Sequence, residues 1–169
     1  MRNVSGTTFT IIVRSAFMNY PNGNNNLESS SLNSAQPAVD KRPLVLAVDD
    51  NHDNLELMTQ ILDLLGCECV GAVNGYTALS KAVDRHPDLI ILDICLPDID
   101  GIELVKQIKQ NPELIHIPIV AVTALAKTED RDRILKAGCA AYLSKPFNIN
   151  ELEIIIRQQL NYQLFLVEF

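Results

Sequence analysis

No stretch of this chain stays apolar for anything like the ~18 consecutive residues that a membrane span needs, so no membrane association is expected. The nearest approach to a signal-peptide core, Phe9 to Phe17, is interrupted by Arg14 and followed by no clear cleavage site, so no export signal is read. Basic residues are in short supply: 14 Lys and Arg stand against 21 Asp and Glu, for a net charge of −7. That balance lacks the positive footprint of a nucleic-acid binder. Cysteine is sparse too. Cys67, Cys69, Cys95 and Cys139 are scattered inside apolar segments, and Cys67-x-Cys69 has neither a second pair nor a histidine cluster to complete a zinc site. Reduced, mostly buried thiols in a cytosolic protein are the expectation.

What is present is a core-forming composition, 47% apolar over 169 residues, enough for one domain and something extra. The extra lies first in the chain. Residues 1–42 include Asn22 to Ser34, a run of Asn, Ser and Gly with too little apolar surface to offset ordering entropy. A disordered tail is expected there, and Met18, just before the polar tract, is a candidate translation start. The other end, Leu164-Phe165-Leu166-Val167-Glu168-Phe169, is unusually apolar for a terminus and either extends the last helix or covers a surface patch.

Between these tails, residues 43–162 alternate regularly. The organising stretch is Leu89-Ile90-Ile91-Leu92-Asp93, followed by Pro97 and Asp100-Gly101. An unbroken apolar run bounded by turn residues reads as a strand buried on both faces, as in parallel sheets. Leu44–Val48 is a second buried-type run, and shorter or broken runs at Cys67–Ala72, Ile117–Val122 and Ala140–Ser144 are read as the other strands. Helical spacing of Leu55, Met58, Ile61, Leu62 and Leu65 predicts a first helix capped by Asn51 or Asp53 and stopped by Gly66. Asn74-Gly75 reads as a turn. Ala78, Leu79, Ala82 and Val83 line a second helix, and Gly101–Gln110 forms a third with Ile102, Val105 and Ile108 inward. Thr128–Ala137 forms a fourth, stopped by Gly138, and Asn150 to about Tyr162 a fifth. Five strands alternating with five helices predict an α/β fold with a doubly wound parallel sheet.

The informative polar residues then fall at one edge of the sheet, just past strand ends: Asp49 and Asp50, Asp93, Thr123 and Lys145. If the sheet has the flavodoxin-like order 2-1-3-4-5, the switch point between strands one and three gathers three carboxylates. Such crowding calls for a cation, and an all-oxygen site suits Mg²⁺ or Mn²⁺. A carboxylate nucleophile, a divalent ion, a lysine and a hydroxyl are what phosphoryl transfer onto an aspartate needs.

Asp49-Asp50, Asp93 with Pro97 and Asp100-Gly101, Thr123-Ala124 and Lys145-Pro146-Phe147 together resemble the receiver domain of two-component response regulators, over residues 43 to about 160. The resemblance implies Asp93 as phospho-acceptor and Asp50, Asp49 (through water), Asp93 and the backbone carbonyl of Cys95 as the Mg²⁺ site. It implies Thr123 and Lys145 as phosphoryl ligands, Thr123 and Tyr142 as switch residues, and a cis peptide before Pro146. Phosphorylation would repack the face made by helix four, strand five and helix five. In receivers the side chains at the positions of Cys95 and Leu125 flank the path of the hydrolytic water. Neither orients water strongly here, so slow autodephosphorylation is expected, while small Ala124 leaves access open to a phosphohistidine.

Other readings compete. A haloacid-dehalogenase-like phosphatase would want a second Asp where Cys95 stands. A flavodoxin-like cofactor binder would want a Gly, Ser and Thr loop where Asp49-Asp50 stand. A pseudo-receiver acting as an interaction module keeps the fold without the chemistry, and a receiver detached from a larger hybrid kinase keeps both. Too little chain follows the last helix for a DNA-binding effector. The expected partners are therefore a histidine kinase or phosphotransfer protein, and an effector protein bound at the switch face. The chain is expected to be a signalling receiver in the cytoplasm, catalysing nothing beyond its own phosphorylation and dephosphorylation.

Overall fold

The computed structural model describes residues 42–124 and 128–160. The expected N-terminal tail, the start at Met18, Leu125 and the apolar C-terminal tail lie outside those residues. The elements run β1 (Leu44–Val48), α1 (His52–Leu64), β2 (Glu68–Ala72), α2 (Gly75–Arg85), β3 (Leu89–Asp93), α3 (Gly101–Gln110), β4 (Ile119–Thr123), α4 (Thr128–Ala137), β5 (Ala141–Ser144) and α5 (Ile149–Leu160). All neighbouring strands pair in parallel, in the order β2-β1-β3-β4-β5. This is the expected doubly wound sheet.

Every residue of β1, β3 and β4 is buried, because helices cover both faces. Alternate side chains divide accordingly. Leu46, Ile90, Leu92 and Ala121 pack with Ala78 and Ala82 of α2, Leu104, Val105 and Ile108 of α3, and Ile134 of α4. Val45, Ile91, Val120 and Val122 pack with Ile61 and Leu62 of α1 and Leu152, Ile155 and Ile156 of α5. On α3 Val105 and Ile108 are fully buried as expected and Leu104 joins them, while Ile102 packs partly buried against the same cluster.

β1 and β3 start where the apolar runs suggest, but β2, β4 and β5 start one or two residues later, for a reason visible in the backbone. Gly66 (φ +77°) ends α1 with Gly66 N–H donating to Asp63 and Cys67 N–H donating to Leu62. The Cys67 amide is thus spent on the helix end, and β2 begins at Glu68. Gly138 (φ +119°) and Cys139 end α4 the same way on Leu135 and Ile134. At β4, Pro118 has no N–H to give and pairs only through its carbonyl, to Ile90.

Asn74-Gly75 is not a free turn. Asn74 caps α2, its side chain accepting from Thr77 N–H at 2.8 Å, and Gly75 is the first helical residue. Likewise α5 starts at Ile149 and not Asn150, because Asn148 and Glu151 bond reciprocally as a capping box.

All four cysteines are free, but only Cys67 and Cys139 are buried; Cys69 is half-buried and Cys95, beyond the end of β3, is exposed. Burial pushes the Cys139 thiol up to about 12. Iodoacetamide at mildly alkaline pH should label Cys95 first, and Cys67 and Cys139 only after denaturation, as read by peptide mass. A second expectation concerns Gly101, where a Cβ would sit 2.6 Å from both Cα and O of Ile94, against backbone that cannot step aside. Gly101→Ala should cost about 2–3 kcal/mol in urea unfolding. Gly71→Ala, whose Cβ would meet only Leu55 methyls at 3.6 and 3.7 Å, should change stability by less than about 1 kcal/mol.

Candidate functional site

Parallel strands put all five carboxyl ends at one edge, and four elements deliver polar side chains there. Asp93 is the last residue of β3 and Thr123 the last of β4; they are the buried polar residues of the described core, at 8% and 0% exposure. Asp49 follows β1, fixed by its N–H donating to Ala72 O at the end of β2. Lys145 follows β5, its N–H donating to Thr123 O at 2.9 Å across the neighbouring strand. The Lys145–Pro146 peptide is cis, as expected.

The lysine joins the carboxylates. Lys145 Nζ donates to Asp93 Oδ2 at 2.6 Å and to Asp49 Oδ2 at 2.9 Å. Burial alone would lower the ammonium's pKa, but the hydrogen bonds to Asp93 and Asp49, and their charges, outweigh it and leave it raised above the ordinary 10.5. A raised lysine pKa means that stability from this pairing is complete below that ordinary value and is lost only as pH rises through the folded-state value.

Each carboxylate has further partners. Asp93 Oδ1 accepts from Cys95 N–H at 2.8 Å, which turns the chain sharply after β3. Asp49 Oδ1 accepts from Asn51 N–H at 2.9 Å, and Asn54 Nδ2 bridges both Asp49 oxygens at 3.0 and 3.1 Å. Asn54 was not singled out from sequence; its signal is position, in the first turn of α1, three residues after the capping Asn51. Asp50 and the Cys95 side chain are exposed, and Tyr142 is half-buried on β5.

The expected crowding of three carboxylates is therefore found as two, Asp49 and Asp93, sharing one ammonium, with Asp50 beside them facing solvent. Among the described residues no three His, Cys, Asp or Glu side chains form a ready-made metal cluster. The donor set is nevertheless all oxygen and two negative charges in excess, counting Asp49, Asp50 and Asp93 against Lys145 alone. That hard, anionic set fits Mg²⁺ or Mn²⁺. Asp98, also not singled out, lies in the segment between β3 and α3 and bonds across to α2.

Comparison with known proteins gives a consistent result. Residues 45–157 match the family model of the response regulator receiver domain. The polar-differentiation response regulator DivK of Brucella ovis is 43% identical over 105 residues, covering 62% of this chain and 85% of the relative. The chemotaxis response regulator CheY4 of Vibrio cholerae, a solved structure, is similar with a TM-score of 0.68 and 30% identity, over 71% of this chain and all of its own. The receiver domain of a sensor histidine kinase from Pseudomonas aeruginosa, solved with a magnesium ion coordinated in its active site cleft, gives a TM-score of 0.67 and 31% identity. It covers 72% of this chain and all of the other. Family model, relatives and strand order agree on one assignment, which displaces the phosphatase and cofactor-binder readings: the chain belongs to the response regulator receiver domain family of two-component signalling.

Proposed function

We propose that this chain is the phospho-acceptor of a phosphorelay, receiving a phosphoryl group on Asp93 from a histidine kinase or a histidine phosphotransfer protein. The observation that carries this reading is the Lys145 ammonium bonded to the Asp93 carboxylate at 2.6 Å, at a sheet edge lined by the buried Thr123. A lysine so placed holds the acceptor as an anion and can follow charge onto a phosphoryl oxygen. An Asp93 oxygen attacks phosphorus, the new P–O bond forms as the donor's N–P bond breaks, and the leaving imidazole takes up a proton. Thr123 would donate its hydroxyl to a second phosphoryl oxygen.

Asp49, Asp50, Asp93 and the Cys95 carbonyl are the residues that would hold Mg²⁺. Because one of these is a backbone oxygen and another an exposed carboxylate, the set need not stand preassembled as a side-chain cluster. When bound, the ion supplies positive charge against the phosphoryl oxygens. Asn54 and the Asn51 amide keep Asp49 oriented for it.

Output leaves through the face formed by α4, β5 and α5, where Thr123 drawn toward the phosphoryl group gives Tyr142 room to turn inward. An effector protein reads that face. Cys95 has no group that orients water strongly, so the acyl phosphate persists or returns to a histidine.

Purified chain incubated with Mg²⁺ and phosphoramidate should gain one phosphoryl group by intact mass. The gain should be absent in Asp93→Asn and absent in EDTA, and should decay over minutes or longer. No gain under any condition would favour a pseudo-receiver instead. Lys145→Ala leaves two carboxylates without their shared ammonium, and in EDTA should lose about 1–2 kcal/mol, discounted from a buried pair because Lys145 is partly exposed. Added Mg²⁺ should raise the melting temperature of Lys145→Ala more than that of the native chain, in differential scanning fluorimetry.

A further inference from the structure

The segment between β3 and α3, residues 94–100, carries the Cys95 carbonyl. Its two ends are fixed by backbone. Ile94 N–H donates to Val122 O at 3.3 Å, Cys95 N–H to Asp93 Oδ1 at 2.8 Å, and Gly101 N–H to Ile94 O at 3.2 Å. Its apex is tied to a different element. Asp98 Oδ1 accepts from Gly75 N–H and Asp98 Oδ2 from Tyr76 N–H, each at 3.0 Å.

These two amides are the first of α2, and Asn74 already supplies that helix with a local cap on Thr77 N–H. A helix start needs no residue from 22 or 23 positions downstream to be stable. The fit is close as well as polar: a Cβ at Gly75 would collide with Ile99 Cγ2, so the segment would have to shift to accept any other residue there. A carboxylate facing a helix N-terminus adds a favourable charge–dipole interaction. Desolvation pushes the Asp98 carboxyl up, but the Gly75 and Tyr76 amides outweigh it and hold it below the usual carboxylate range, so it is an anion throughout the neutral region.

We propose that Asp98 is a positioning residue for the metal site: its clasp on α2 holds the β3–α3 segment in the shape that presents the Cys95 carbonyl beside Asp49 and Asp93. The inference rests on the acceptor reading above and deepens it. Asp98 touches neither metal nor phosphoryl group; it acts through the segment. Binding linkage makes the effect reciprocal, so Mg²⁺ bound at Cys95 must tighten the clasp.

The test uses the full chain, with Asp98→Ala and Asp98→Asn, in three measurements: calorimetric titration with MgCl₂, amide hydrogen exchange at Gly75 and Tyr76, and phosphoramidate labelling. In the native chain Mg²⁺ should slow exchange at both amides. Asp98→Ala should abolish that response and raise the Mg²⁺ dissociation constant about tenfold, the low end of what outer-shell partners of metal ligands contribute. Its labelling should recover at saturating Mg²⁺. Asp98→Asn, which keeps one acceptor oxygen, should fall between, and it carries the test if the alanine variant does not fold. Faster exchange at Gly75 and Tyr76 with an unchanged Mg²⁺ dissociation constant would overturn the proposal and reduce Asp98 to a helix cap. A native chain that binds Mg²⁺ but takes no phosphoryl group would sink the acceptor reading while leaving the titration to judge the clasp.

Discussion

One ammonium holds this site together. Lys145 leaves the end of β5, yet its Nζ reaches past β4 to Asp93 on β3 and to Asp49 beyond β1. Such a reach works only because β1, β3, β4 and β5 all run the same way and stop at one edge. The strand between, β4, contributes Thr123, fully buried and accepting through its carbonyl from the lysine's own amide. Loss of the parallel arrangement would scatter these groups to opposite ends of the sheet. The catalytic possibilities of the edge are therefore a consequence of topology before they are a consequence of any single residue.

The same topology sets the field at that edge. Each helix follows a strand, so the amino ends of the helices lie toward the edge that carries the carboxylates. Asn51, Asn74, Asp100 and Asn148 cap four of them with side-chain oxygens. Partial positive charge from helix ends helps offset a group of acids that one lysine cannot balance, and would do the same for a transferred phosphoryl group.

Much of this was legible in the chain itself. The unbroken runs at Leu44–Val48 and Leu89–Asp93 marked strands covered on both faces, and glycines 66 and 138 marked helix ends, because these depend on local rules. Asp93 and Lys145 could be paired only through the strand order, which the sequence supported by alternation and by resemblance. Two of the features that escaped show why. Asn74-Gly75 carries a strong turn signature, and nothing local distinguishes a turn from a capped helix start. Asp98 sits amid Pro97, Asp100 and Gly101, where an acidic residue is unremarkable for a loop; its partners are more than twenty residues away, beyond any periodicity.

The centre and the edges of the sheet are not held with equal force. β1, β3 and β4 are sealed along their whole length, whereas both edge strands, β2 and β5, are only partly covered. The helix beside β5, α4, is largely charged and, among its described side chains, is anchored by one fully buried residue, Ile134. Local stability in a protein follows the apolar surface that each part buries, and the least anchored elements open first. In mechanical terms the sheet is a stiff slab with more compliant edges. On the acceptor reading proposed above, a change at Asp93 would be relieved not by the sealed β3 but sideways, through Thr123 and β5, toward the lightly anchored α4.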